Sequence, residues 1–173
     1  FAWRLAKTSI PTGAVRKHRS MADSAECSIC HVAVDSWRHA LFDCHMARCV
    51  WALADEETTD TIISNRTDDA KLWMFWLVNT LPTEALARVL VTMWAIWWDH
   101  RKAIHENKFQ SPLSTMSFIR RFLEELDIVE VQKGRSSPAS AALRACAWLP
   151  PEGEVVKINY DGAISTLGEK RLA

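Results

Sequence analysis

The spacing of apolar residues predicts a mainly helical chain. Apolar side chains recur at steps of three and four over most of residues 1–133, which is the period of an amphipathic helix. The predicted helices cover residues 1–8, 13–20, 37–42, 45–54, 71–80, a long segment that begins at Thr83, and a last one that begins at Ser111 and Pro112.

Polar residues mark where several of these helices begin. Thr12 is placed to cap the second helix, Asp35 or Ser36 the third, and Asp68 or Asp69 the fifth. Each offers a side-chain oxygen to backbone N–H groups that have no partner within the first turn. We therefore expect short loops, closed by caps, between the helices.

The helix that begins at Thr83 carries a stripe of mostly large apolar residues, which we expect to be buried. Its members are Leu86, Leu90, Met93, Trp97, Arg101 and Ile104. Tryptophans at helical spacing are able to stack nucleic-acid bases, as in single-strand binders. Core packing is the commoner use of aromatic residues and is the favoured interpretation.

The pattern changes after residue 133. Serines and Pro138, without an apolar rhythm, predict a linker over residues 134–150. Val156, Ile158 and Tyr160 then alternate with polar residues, which predicts a β-strand that ends at Asp161.

Charge is balanced overall but unevenly distributed. The chain has 21 basic and 21 acidic residues, which argues against a surface coated by nucleic acid or membrane. Residues 1–20 contain no acid, and their cations either contact phosphates or form a helix face that is only solvated: Arg4, Lys7, Arg16, Lys17 and Arg19. The acidic run from Asp55 to Asp60 predicts a loop. No apolar run reaches the roughly 18 residues of a membrane span, so no membrane partner is predicted.

Four residues form a candidate zinc site. Cys27 and Cys30 present two thiols from one turn, and His39 and Cys44 complete the spacing C-x2-C-x8-H-x4-C, which is typical of tetrahedral zinc. The alternatives are a four-cysteine set that includes Cys49, and simple burial of small apolar thiols. Cysteines in a metal-binding pattern indicate a reducing, intracellular compartment, either nucleus or cytoplasm.

The spacing of the second ligand pair constrains the local fold. His39 and Cys44 lie five residues apart, so on a continuous helix of about 100° per residue they point roughly 140° apart. We therefore expect the helix that carries His39 to end or break near Asp43, which allows both side chains to face one ion.

Three landmarks, in one sequence order, resemble a known family. The zinc-binding domain that follows reverse transcriptase in plant-type non-LTR retrotransposon polyproteins is similar to Phe1-Ala-Trp-Arg-Leu-Ala-Lys-Thr-Ser-Ile-Pro-Thr12, Cys27-x2-Cys30, His39-Ala-Leu-Phe-Asp-Cys44 and Trp51. The Trp-rich helix of those proteins resembles Trp94-Ala-Ile-Trp97-Trp-Asp-His-Arg101. The opening of their ribonuclease H domain resembles Trp148-Leu-Pro-Pro151 and Lys157-Ile-Asn-Tyr-Asp161-Gly-Ala163.

The resemblance implies a plan for the whole chain. A zinc-binding domain over residues 1–60 would precede a Trp-rich helical region over 61–133, the linker over 134–150, and the truncated start of an α/β ribonuclease H-like domain, with a short β segment, over 151–173. It favours Cys27, Cys30, His39 and Cys44 as zinc ligands over the set with Cys49. The start at Phe1, without an initiator methionine, suggests a fragment of a longer protein.

The resemblance also makes Asp161 the first of several carboxylates that bind two magnesium ions in the complete ribonuclease H-like parent. A single carboxylate does not hold two such ions, so we expect this chain to be catalytically incomplete.

Two functional hypotheses follow. In the first, the chain is a retrotransposon-derived zinc-binding module that binds RNA or DNA weakly and without sequence preference. In the second, it is an inert or protein-binding remnant with no nucleic-acid binding. The salt dependence of binding distinguishes the two hypotheses.

Overall fold

The computed structural model describes residues 1–135, and residues Phe1–Lys133 form one compact unit. The described helices are α1 (Ala2–Ala6), α2 (Gly13–His18), α3 (His45–Trp51), α4 (Glu56–Ser64), α5 (Ala70–Thr80), α6 (Thr83–Glu106) and α7 (Pro112–Arg135), with a π-helical turn at His39–Asp43. The prediction of a mainly helical chain is confirmed for these residues. No described helix has the length and apolar content to span a bilayer.

Several sequence-based expectations concern residues that the structure does not describe. Asp161 and the β segment over 151–173 lie outside the described residues, as does the predicted linker from residue 136 onward. The first two residues of that linker belong to the end of α7. The domain boundary at residue 60 stays a prediction.

Side-chain caps begin α2, α4 and α5. The Thr12 hydroxyl accepts the N–H of Val15 in α2, and Asp69 accepts the N–H groups of Lys71 and Leu72 in α5. The predicted loop at Asp55–Asp60 was wrong, because Asp55 accepts the N–H of Thr58 and begins α4. Glu56 and Glu57 lie in the first turn, where the helix dipole favours negative charge.

Helix α6 is buried along a different stripe from the predicted one. Leu86, Leu90 and Ile104 are only half-buried and Arg101 is exposed, whereas Met93 and Trp97 are buried as expected. The buried face is centred on Ala85, Val89, Thr92, Met93, Ile96, His100 and Ala103. The face is rotated towards small and polar residues because α6 packs against both the π-helical turn and α3.

Four of the eight tryptophans in the described residues are buried in the core. The Trp73 side chain is fully buried, and its ring centre lies 5.3 Å from that of Phe42 and 5.5 Å from that of Trp37. Phe42 in turn stacks on Trp51, whose indole N–H donates to the carbonyl of Leu41 over 2.8 Å. This aromatic cluster joins α5 to the π-helical turn and α3. The expectation that aromatic spacing reflects core packing is confirmed for these rings.

Candidate metal centre

A short hairpin carries the first two candidate ligands. Glu26 and Val34 form an isolated antiparallel bridge, and the N–H of Cys27 donates to the carbonyl of Ala33 over 2.9 Å. The N–H of His31 returns to the carbonyl of Cys27, with His31 in the left-handed region at φ 53°. This turn brings Cys30 back beside Cys27, so that both sulfurs face the same side of the hairpin.

The π-helical turn supplies the other two candidate ligands. The Ser36 hydroxyl accepts the N–H of His39, and the N–H of Cys44 donates to the carbonyl of His39 over 2.8 Å. Because a π-helical hydrogen bond joins residues five apart, it brings His39 and Cys44 close together. The chain then leaves the turn at Cys44 and enters α3 at His45. The predicted break near Asp43 is confirmed, and of the two predicted caps Ser36 fills the role.

The four side chains converge on one point. The Sγ atoms of Cys27 and Cys44 lie 4.0 Å apart, and Cys30 Sγ lies 3.3 Å from His39 Nε2. All four potential ligand atoms lie within 4.8 Å of one another. Tetrahedral zinc bonds of about 2.3 Å to sulfur and about 2.0 Å to nitrogen put such atoms roughly 3.5–3.8 Å apart. The donor set therefore fits a closed structural zinc site.

A comparison with known families agrees with this geometry. Residues 1–51 match the family model described as zinc-binding in reverse transcriptase. No curated protein and no solved structure showed significant similarity to the chain. The reverse-transcriptase zinc-binding match covers all four clustered residues, and together the match and the cluster suggest zinc.

Cys49 lies apart from this cluster. Its Sγ atom is 3.9 Å from His45 Nε2, on the outer side of α3, and it belongs to neither group of potential ligands among the described residues. The alternative set with Cys49 in place of His39 is therefore not brought together.

The two buried thiols of the cluster differ in acidity. Burial favours the neutral form of both. In Cys27 this is outweighed by the adjacent His100 ring and by the backbone N–H groups of Cys30 and Ile29, so its pKa is lowered. In Cys44 burial dominates, and the neighbouring thiols add to it, so its pKa is raised. A zinc ion bound at this cluster would require Cys44 to lose its proton.

A buried histidine from α6 reaches this centre and was missed in the sequence. His100 is fully buried, and its Nε2 atom lies 3.2 Å from Asp35 Oδ1. Burial alone would lower the pKa of His100, but the Asp35 carboxylate and the Cys27 thiol together raise it to about 9. The sequence did contain a signal for its burial: His100 lies four residues after Ile96 and seven after Met93, so all three share one face of α6.

Asp35 has a different role from the predicted cap. Its Oδ2 atom accepts the N–H of Gly13 over 2.6 Å, and its carbonyl accepts the N–H of Ala14 over 3.0 Å. Asp35 thus fixes the first turn of α2 against the end of the hairpin. Gly13 is required here, since a Cβ atom at this position would lie 2.9 Å from both the Ala25 carbonyl oxygen and the Asp35 Cβ atom.

The five cations that are predicted to contact phosphates lie in α1 and α2 or directly after these helices. Arg4, Lys7, Lys17 and Arg19 are exposed and Arg16 is half-buried. None of the five forms an ion pair within the part of the chain that the structure describes.

Lys7 has an aromatic neighbour that the sequence did not single out. Its Nζ atom lies 4.9 Å from the ring centre of Trp3, and the Trp3 side chain is 73% exposed. The Trp3 ring is therefore not part of the core, and an exposed ring beside a cation is suited to stacking on a nucleic-acid base.

Proposed function

We propose that residues 1–133 are a zinc-binding module that contacts nucleic acid, as part of a retrotransposon-type reverse transcriptase and ribonuclease H parent. The observation that supports this most directly is the position of α2. Its first turn is hydrogen-bonded to Asp35, at the end of the hairpin that carries Cys27 and Cys30. Order at the metal site is thereby transmitted to the basic helix.

The role of zinc in this proposal is structural. The ion would link the hairpin to the π-helical turn through three sulfurs and one imidazole nitrogen, with no open ligand position for a reacting water. The residues of this chain do the rest: Asp35 orients α2, and α2 presents Arg16, Lys17 and Arg19.

Phosphate contact is proposed for the five cations of residues 1–20, with base stacking on Trp3. The cations lack acidic partners among the described residues, so they are free to neutralise phosphates. The stacking site consists of the exposed Trp3 ring with Lys7 beside it. Nothing in this arrangement reads base edges, so binding is expected to be weak and independent of sequence.

The experiment measures affinity for single-stranded RNA and duplex DNA against salt concentration. Five phosphate contacts on duplex predict a slope of log affinity against log salt near −4.5, at about 0.9 per contact. Replacing Arg16, Lys17 and Arg19 by glutamine is expected to reduce the slope to about −1.8. Trp3→Ala is expected to weaken single-strand binding without changing the slope.

The matched control removes the same charge from another surface. Lys71, Arg120 and Arg121 are exposed cations of α5 and α7, and their joint replacement by glutamine is expected to leave the slope unchanged. If binding ignores salt, or if both triple variants weaken it equally, the nucleic-acid interface is wrong.

A protein partner is the second candidate, and one observation favours it. Helix α5 exposes three large apolar side chains on one face, Leu72, Phe75 and Val78, at 60%, 59% and 53% exposure. In a chain without nucleic-acid affinity, this face would be the place to expect a protein contact.

For residues 151–173 we propose the start of a ribonuclease H-like domain, on the resemblance of the sequence around Asp161 alone. Asp161 would be one of several magnesium ligands in the complete parent. We expect no magnesium-dependent hydrolysis of a labelled RNA–DNA hybrid by this chain. Hydrolysis that Asp161→Asn abolishes would contradict this expectation.

A further inference from the structure

A second group of metal-binding residue types meets beside the zinc cluster. One ligand atom each from Cys27, Asp35 and His100 lies within 4.8 Å of the other two, and all three residues are buried. Cys27 belongs to both groups. The other two residues have no role in the ligand set described above.

His100 and Asp35 have buried polar atoms without a hydrogen-bond partner among the described residues. Its Nε2 atom and Asp35 Oδ1 are 3.2 Å apart but poorly aligned. Within the described residues neither ring nitrogen has a well-aligned partner, and Asp35 Oδ1 has none either. Buried polar atoms rarely remain unsatisfied, since each costs free energy comparable to a lost hydrogen bond. Among the described residues, Asp35 and His100 therefore do not complete each other's hydrogen bonds.

The side chains of this group are held in place from outside. The His100 ring stacks on Trp97, with ring centres 5.5 Å apart and planes 17° apart. The other oxygen of Asp35 is held by the N–H of Gly13. Both side chains are buried, and each has a potential ligand atom within 4.8 Å of the Cys27 sulfur.

Zinc at the neighbouring site would create the charge that such groups stabilise. Three thiolates and one neutral imidazole leave a zinc complex with a net charge of about −1. Donors next to a metal-bound sulfur disperse that charge and fix the orientation of the ligand. A ring N–H directed at the Cys27 sulfur would serve this purpose, and the carboxylate of Asp35 would orient the ring.

We propose that His100 is a positioning residue of the zinc centre, which holds the Cys27 sulfur and the Asp35 carboxylate from α6. The metal centre then extends beyond residues 1–51, the segment that matches the zinc-binding family, into the long helix. This inference rests on zinc binding by the four-residue cluster. It goes further by assigning a function to a residue that lies in a separate helix.

The test compares zinc and cobalt binding in the full chain and three variants. His100→Leu removes the ring nitrogens, His100→Gln keeps an N–H donor, and Met93→Ala is the control. Met93 is fully buried on the same helix and belongs to neither group of potential ligands, so its truncation destabilises the protein without removing a polar group from the cluster. The readouts are zinc affinity by chelator competition and the sulfur-to-cobalt charge-transfer bands of the Co²⁺ protein.

We expect His100→Leu to weaken zinc binding roughly 10- to 100-fold, the usual effect of losing an outer-shell partner, and to shift the charge-transfer bands. His100→Gln should recover part of both. Met93→Ala should lower Tm but leave affinity and bands unchanged.

Three outcomes would overturn the proposal. The first is that His100→Leu binds zinc and absorbs like the parent chain, the second is that Met93→Ala reproduces the effects of His100→Leu, and the third is that the parent binds two zinc ions and His100→Leu only one. The last result would make Cys27, Asp35 and His100 a second metal site that shares Cys27. If His100→Leu does not fold, His100→Gln decides alone, because the proposal requires it to bind zinc more weakly than the parent and with shifted bands. Absence of zinc from the parent chain is a different failure, since it removes the proposed zinc function itself.

Discussion

Residues 1–51 and the helices from α5 onward are stabilised in different ways. The first region has helices of at most seven residues and one isolated β-bridge, whereas α5 has 11 residues and α6 and α7 have 24 each. Isolated helices shorter than about 12 residues are marginal in water. The first region therefore depends on its candidate ligands and loop hydrogen bonds in addition to its apolar contacts with the long helices, whereas the second depends mainly on apolar burial.

The two regions nevertheless share a boundary. Trp73 of α5 packs on Phe42 of the π-helical turn, and His100 of α6 faces Asp35 and Cys27. A disturbance at the metal centre therefore reaches the long helices through two identified contacts. The difference between the regions is one of degree, and the following variants measure how large it is.

Loss of the metal is expected to have the largest effect. Structural zinc supplies roughly 10–16 kcal/mol of apparent folding free energy in small zinc fingers. A chelator, or Cys27→Ser, is expected to remove amide protection from residues 1–51 while α6 keeps part of its protection. Metal analysis and hydrogen exchange measure both. Cys49→Ser is the control and is expected to retain one zinc per chain.

If Cys49→Ser loses zinc and His39→Ala does not, the ligand set is wrong. If chelation unfolds all described helices together, the contrast between the regions disappears.

The sequence could predict the parts of this centre that depend on local spacing. The C-x2-C turn and the step from His39 to Cys44 are short-range, so the convergence of the four side chains followed from the requirement for a break near Asp43. Thr12 and Asp69 were predictable for the same reason, since a cap acts on its own helix. Asp55 was not predicted as a cap, because a run of acids is compatible with a loop as well as with the start of a helix.

The contacts of Asp35 and His100 could not be predicted in this way. These residues lie far apart in the sequence and meet only when α6 docks on the hairpin. The stripe of α6 was likewise misplaced, because its rotation depends on which neighbours it packs against. Periodicity identifies a helix but leaves its partner open.

Truncation of the aromatic cluster is expected to have the next largest effect on stability, through the loss of apolar burial. Trp73→Ala removes a fully buried indole and is expected to cost about 3–5 kcal/mol of unfolding free energy. Chemical denaturation of the zinc-bound chain measures it. Trp98→Ala is the control, because Trp98 is 46% exposed and its loss is expected to cost no more than about 1 kcal/mol. Equal losses for the two variants would mean that the cluster is not the main core of the helical region.

A smaller effect is expected where α2 meets the hairpin. In Gly13→Ala the added methyl group meets the Ala25 carbonyl and the Asp35 Cβ atom, both at 2.9 Å. Relief requires movement of backbone, so we expect a loss of about 1–3 kcal/mol. Thermal unfolding with zinc bound measures it, and Lys17→Ala on the exposed face of α2 is the control. An unchanged Tm in Gly13→Ala would show that α2 is not held closely against Asp35.

The smallest expected effect concerns Asp99, which precedes His100 on α6 but faces α7. Its carboxylate is buried and accepts a hydrogen bond from the Thr115 hydroxyl. Burial raises the pKa of Asp99, and the hydrogen bond from Thr115 and the charge of Lys102 only partly oppose this. A carboxyl with a raised pKa holds its proton more tightly in the folded chain than in the unfolded one, so stability falls as pH rises above the unfolded value of about 3.9.

Asp99→Asn removes this titration and keeps an oxygen that can accept from Thr115. We therefore expect the variant to unfold at the same temperature as the parent near pH 4 and at a higher temperature at pH 7. Asp127→Asn, an exposed change on α7, controls for net charge and is expected to give no such divergence. A Tm difference that is constant with pH, or that favours the parent at pH 7, would mean that the Asp99 carboxylate is stabilised in its charged form.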